Sequence, residues 1–170
     1  PERAASLTAL APRLSAVNLL SQAMATAREI ADTDAQLASL VALAPDLATA
    51  GDQVEALEIV GKVSDGQSRA LAMAELLPRL SGLERRKARE GVVAAVHRID
   101  DPATRAMTIE QLAPRFPREM LPAALAIEFE NHRIRALLSL IPHLPDDLRL
   151  PARQETLSAL QTIMADFEQL

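Results

Sequence analysis

Five prolines, Pro12, Pro45, Pro78, Pro114 and Pro142, stand in copies of one amphipathic phrase, and this internal repeat constrains the 170-residue chain more than any other feature. The copies read RAASLTALAPRL (Arg3–Leu14), QLASLVALAPDL (Gln36–Leu47), RALAMAELLPRL (Arg69–Leu80), RAMTIEQLAPRF (Arg105–Phe116) and RIRALLSLIPHL (Arg133–Leu144). Two places before the proline the residue is Leu in every copy; two places after it is Leu in four and Phe116 in the fourth. Nine places before, Arg3, Arg69, Arg105 and Arg133 share a column with Gln36. The proline spacings, 33, 33, 36 and 28 residues, suit stacked helix pairs, units that bury their apolar faces only against neighbours.

Each copy is followed by a second amphipathic stretch. Proline cannot continue the hydrogen-bond ladder, so the aligned prolines are expected where each first helix ends. Ser81-Gly82-Leu83-Glu84 has the form of a capping box, Ser15 and Asp52 offer caps for the first two second helices, and Pro122 and Pro151 suit the first turns of the last two. Asp101-Pro102 reads as a cap followed by a first-turn proline, with Asp32 and Asp65 in the matching place. The expected architecture is all-α: about five helix-pair repeats and about ten helices, over residues 1–34, 35–67, 68–102, 103–131 and 132–170 of a single repeat domain. Composition agrees, since alanine and leucine make up about a third of the chain and aromatics only 2%.

At about 100° per residue, the positions eight, five, two and one before the proline and two after it form one apolar face. The opposite row holds small and mixed residues, and in a stacked array it would line the concave surface where ligands bind. Its larger members are Val41, Leu71, Glu75, Met107, Glu110, Gln111, Arg135 and Leu138, the candidate partner-binding residues.

The second copy with its continuation, LASLVALAPDLATAGDQVEALEIVGKVSD, resembles a tetratricopeptide repeat: Leu40, Leu43, Ala44, Leu47, Gly51, Ala56, Val60 and Val63 fall at that family's core, turn and packing positions. No copy carries the family's aromatic residues. The resemblance implies a right-handed α-α superhelix (a TPR-like solenoid). The phrase R-A-x-x-L-x-x-L-A-P-x-L is also similar to the helical arrays of bacterial STAND or NACHT-type signalling proteins, which implies a sensor or scaffold part of a larger protein. No G-x-x-x-x-G-K-[ST] phrase is present to bind a nucleotide.

Other chemistry finds little support. With 18 Lys and Arg against 23 Asp and Glu, the chain lacks the basic footprint of a nucleic-acid binder, and Phe116, Phe129 and Phe167 are too scattered for a stacking platform. The absence of cysteine excludes disulfides, thiolate metal sites and thiol nucleophiles, and suits a reducing cytoplasm. No apolar run is long enough to span a membrane. His97, His132 and His143 have no ligand or general-base spacing, and G-x-S-x-G is absent. No cofactor, metal or catalytic residue is therefore expected. The Arg column could bind an anion, but its position beside the apolar face, with Asp65 and Asp101 four residues before Arg69 and Arg105, favours structural ties between repeats. The basic run Glu84–Glu90 reads as a solvated helix face.

In Ala152–Leu170, Leu157, Leu160, Ile163, Met164, Phe167 and Leu170 form a stripe expected to be the buried face of a terminal helix. The motif starts three residues from Pro1, which suggests a fragment of a longer chain whose exposed first pair could form a homodimer. The expected function is a non-enzymatic scaffold or sensor module that binds a protein or peptide, or another domain of its parent chain, on the concave face. An architectural spacer or oligomerisation element is the alternative, and a ligand-binding or enzymatic helical domain comes third.

Overall fold

The computed structural model describes residues 19–167 together with Leu7, Ala9, Leu10, Ala11 and Arg13. The described residues are all-α, with no strand among them. Leu7, Ala9–Ala11 and Arg13 are helical, and nine further α-helices follow: α1 (Leu20–Arg28), α2 (Thr33–Ala50), α3 (Gln53–Gly61), α4 (Gly66–Leu76), α5 (Gly82–His97), α6 (Pro102–Leu112), α7 (Pro117–Leu125), α8 (Glu130–Leu140) and α9 (Asp146–Phe167). Short 3-10 turns occupy Leu77–Arg79 and Ile141–His143. Among the described residues no helix is long and apolar enough to cross a membrane.

The chain forms two compact units, one of residues Pro1–Ser64 and Ala72–Gly91, the other of Asp65–Leu71 and Val92–Leu170. In the first, α2 packs on α1, α3 and the 77–79 turn, and Leu43, Leu47, Val60, Leu76 and Leu80 are buried. In the second, α6 packs on α7 and α8, and α8 packs on α7 and α9 around Ile109, Leu112, Phe116, Met120, Leu137, Leu140 and Leu144. The periodic apolar columns are thus the core: the Leu two places before the proline is buried in the second to fifth copies, as is the Leu or Phe two places after it. Leu10 departs from this and is exposed. Alanines 44, 56, 106, 113, 124 and 136 are fully or almost fully buried, and their small side chains let neighbouring helices approach closely.

The connections between helix pairs share one construction. Ile30, Val63, Ile99 and Ile127 each follow the end of a helix by two residues, and each donates its amide to the carbonyl three residues earlier at 3.2 Å. Two residues on, Asp32, Asp65 and Asp101 cap the next helix, accepting from the amides of Ala35, Ser68 and Thr104 at 2.7–2.8 Å. Four residues further comes the Arg/Gln column, which turns back on the turn itself. Gln36 Nε2 donates to the Arg28 and Ile30 carbonyls, Arg105 Nε and Nη2 both donate to the Ile99 carbonyl, and Arg133 Nη1 donates to that of Ile127. Arg133 also faces Glu130 and, across to α9, Glu155. These side chains close the turns through backbone carbonyls; the expected meeting of Arg105 with Asp101 does not form, because Asp101 accepts from the Thr104 amide and hydroxyl while Arg105 turns to the Ile99 carbonyl. Arg3 lies outside the described residues.

Several sequence expectations need correction. Pro45 does not end its helix: α2 runs through it to Ala50 and stops where Gly51 adopts φ 107°. After Pro45 the next stop signal is six residues away, whereas Gly82, Pro117 and Pro145 follow their prolines by only three or four. The carbonyl that Pro45 leaves without an intrahelical donor belongs to half-buried Val41. The last two second helices begin earlier than Pro122 and Pro151 suggest: α7 starts at Pro117 and α9 at Asp146, leaving both prolines inside helices on exposed positions. Asp52 stands at the start of α3 without a side-chain capping bond. The Ser81 amide, which a capping box would direct to Glu84, donates to Gln53 Oε1 at 3.0 Å. Ser15 lies outside the described residues.

The terminal helix is rotated relative to expectation. Its buried face is Ala152, Thr156 and Ala159, while Leu157 is 60% exposed, Leu160 41% and Met164 64%. Ile163 is half-buried, and the side chains of Phe167 and Leu170 lie outside the described residues. Small residues let α9 seat closely on α8, Thr156 satisfies its hydroxyl on the Ala152 carbonyl, and Glu155 is turned toward Arg133.

Removing the clasp by Arg105→Ala leaves the Ile99 carbonyl without two charge-assisted donors and is expected to lower stability by about 1–3 kcal/mol in urea unfolding, with Arg105→Lys recovering only part. The caps also make stability depend on pH. The Ser68 hydroxyl, then its amide, hold the Asp65 carboxyl below the ordinary aspartate value of 3.8, and the Thr104 hydroxyl and amide do the same for Asp101. A carboxyl with a depressed folded-state pKa stabilises fully above its unfolded value and loses that contribution as pH falls through the folded one. Urea midpoints should therefore fall below about pH 4, and the fall should be shallower in an Asp65→Asn/Asp101→Asn variant, whose amides still cap but do not titrate there.

Candidate interaction surface

The larger residues of the first-helix row are half-buried or exposed, whereas Ala74, at a row position of α4, is buried. Val41 on α2 and Leu71 on α4 are half-buried; Glu75, one turn beyond Leu71, is exposed. Met107, Glu110 and Gln111 are exposed on α6, and Arg135 and Leu138 on α8. Within the second unit one contact joins the row between α6 and α8. Arg135 Nε and Nη2 both donate to Glu110 Oε2, at 3.0 and 2.7 Å, linking the row positions of two successive first helices. Both side chains are about half exposed, so the pair is solvent-screened and weakly stabilising. Met107 and Leu138 add exposed apolar surface to the same two helices.

A second feature, which the sequence reading missed, lies in the first unit at the start of the second helices. A hollow of about 680 Å³ is lined by residues that include Asp52, Val54, Glu55, Glu58 and Glu84, and a smaller one of about 260 Å³ by Val54, Leu57, Glu58, Met73, Glu84 and Lys87. The two share Val54, Glu58 and Glu84. Gln53 fixes the walls relative to each other, because its Oε1 accepts both the Ser81 amide and the Ser81 hydroxyl. Glu55 pairs with Arg28, and Glu84 faces Lys87 at 3.9 Å. The signal in the sequence was the three-residue spacing of Asp52, Glu55 and Glu58, which gathers acids along one side of α3; only Ser81 and Glu84, placed opposite through the Gln53–Ser81 bonds, make it a groove.

The remaining candidates do not assemble into a site. Arg85, Arg86, Lys87 and Arg89 are exposed on α5 while Ala88 is buried, the arrangement of a solvated helix face. His97 and His143 are exposed, and His132 packs edge-on against Phe129 with ring centroids 6.4 Å apart. Among the described residues no three His, Cys, Asp or Glu side chains converge to hold a metal ion.

Comparison with family models, curated proteins and solved structures returned no match for this chain.

Proposed function

We propose that this chain is a non-catalytic protein-interaction module, a TPR-like solenoid of helix-pair repeats that takes a peptide or helix of another protein along the first-helix row. The observation that carries this reading is the Glu110–Arg135 pair, which joins row positions from two repeats into one surface. Exposed Met107 and Leu138 supply apolar contact, and methionine adapts its shape to varied partners. A partner's charges can replace the weak Glu110–Arg135 pair at little cost and so set register. In this reading the row forms the concave side of a right-handed superhelix, and the module serves as the sensor or scaffold part of a bacterial, cytoplasmic signalling protein. The resemblance to tetratricopeptide arrays and the lack of cysteine support that setting.

A second reading, an architectural or oligomerisation element, is favoured by the stripe of Leu150, Leu157, Leu160 and Met164 on α9. Leu150, Leu157 and Met164 recur every seven residues, the spacing that brings apolar side chains to one helix seam.

One pair of experiments separates the two. A peptide selected from a random displayed library against the full chain should perturb the amides of Met107, Gln111, Arg135 and Leu138, and Leu138→Asp should weaken its binding about tenfold. Perturbations confined to other faces would reject the row. Light scattering should show a monomer at high concentration. A larger species that Leu157→Glu returns to monomer would establish the oligomerisation reading instead.

A further inference from the structure

The apolar floor of the groove at the start of α3 selects its own class of occupant. Val54, 55% exposed, joins Leu57 and Met73 in lining the 260 Å³ hollow. That volume lies just below the range of about 300–1,000 Å³ typical of small-molecule pockets, and suits one anchoring side chain of a longer segment. The hollow meets the larger one at Val54, Glu58 and Glu84, where the rim becomes acidic. Arg28 and Lys87 face Glu55 and Glu84, but Asp52 and Glu58 have no ion-pair partner among the described residues. The carboxylates are spread along the groove rather than gathered on one point, so they match several separate cations better than a single metal ion.

We propose that this groove docks a cationic amphipathic segment of a partner protein, with a Leu, Ile or Met side chain seated against Val54, Leu57 and Met73 and flanking Lys or Arg side chains meeting Asp52 and Glu58. The Gln53–Ser81 tie holds the groove open before the partner arrives, which lowers the ordering cost of binding. This surface shares no residue with the first-helix row, so the two can be engaged independently.

The test uses the full ¹⁵N-labelled chain and a synthetic amphipathic peptide of about four helical turns, with a Leu stripe flanked by Lys. Two control peptides accompany it, one of the same composition scrambled to remove the stripe and one with Glu in place of Lys. The expected result is amide shifts concentrated at residues 52–58, 73 and 84–87, with the scrambled peptide at least about tenfold weaker and the Glu peptide silent. Asp52→Lys/Glu58→Lys should weaken binding about tenfold, and Val54→Ser, which removes apolar contact and leaves the charge of the groove unchanged, should also weaken it about tenfold. Both sites are exposed, so circular dichroism should report an unchanged fold. No binding, equal binding of the scrambled peptide, shifts scattered over carboxylates elsewhere, or affinity untouched by these variants would overturn the proposal. Each of those outcomes leaves the first-helix row to be judged on its own experiment.

Discussion

The carbonyl two residues beyond the end of a helix has no donor from its own ladder, and in this protein the next helix supplies one. Gln36, Arg105 and Arg133 reach back over six residues to the carbonyls of Ile30, Ile99 and Ile127, and those three side chains are buried. An apolar residue plugs the core beneath the turn while its backbone oxygen is held from above. The aspartate between them caps the incoming helix, so at Asp32 and Asp101 three successive elements of the turn are satisfied within seven residues of chain. The turn before α8 does without the carboxylate: Phe129 stands in the cap position, and Arg133 gathers Glu130 and Glu155 in addition to its carbonyl. An arginine in the first turn opposes the helix dipole, and these partners compensate for it.

With the turns set this way, the rest of the packing is a matter of side-chain size. Buried alanines bring helices together, and leucine columns fill the remaining space. Phe116 takes the place that Leu47, Leu80 and Leu144 occupy in other copies and is itself almost fully buried, so the position accommodates volume without a change of role. At Gly66 the approach is close enough that a Cβ would meet Ile99 Cγ1 at 2.9 Å and the Ala95 carbonyl oxygen at 3.0 Å, which explains a glycine at the first position of α4.

How far the sequence could be read depended on whether a signal was local or shared between helices. The aspartate caps at Asp32, Asp65 and Asp101 and the columns around the prolines were legible because each rests on a single helix and its period. The apolar residues Ile30, Val63 and Ile99 were equally available, two places before each cap, yet an isolated apolar residue in a loop carries no periodicity to draw attention to it. The prolines misled for a related reason. What proline does depends on the next stop signal, so Pro45 sits inside α2 whereas Pro78 and Pro142 lie in 3-10 turns. The groove was invisible because Asp52, Glu55 and Glu58 define only one of its walls.

The sequence by itself determined that this chain is helical, that its helices recur in pairs, and which residues of each first helix share an apolar face. Helical periodicity and capping chemistry act over a few residues and need no partner. The tertiary structure alone decided which face of α9 is buried, since both a leucine stripe and an alanine-threonine stripe run along that helix and only the close seat on α8, with Glu155 drawn to Arg133, selects the smaller one. It also decided that Glu110 meets Arg135 and that Gln53 ties α3 to Ser81, because contacts between residues 25 and 28 positions apart exist only once helices have found their neighbours.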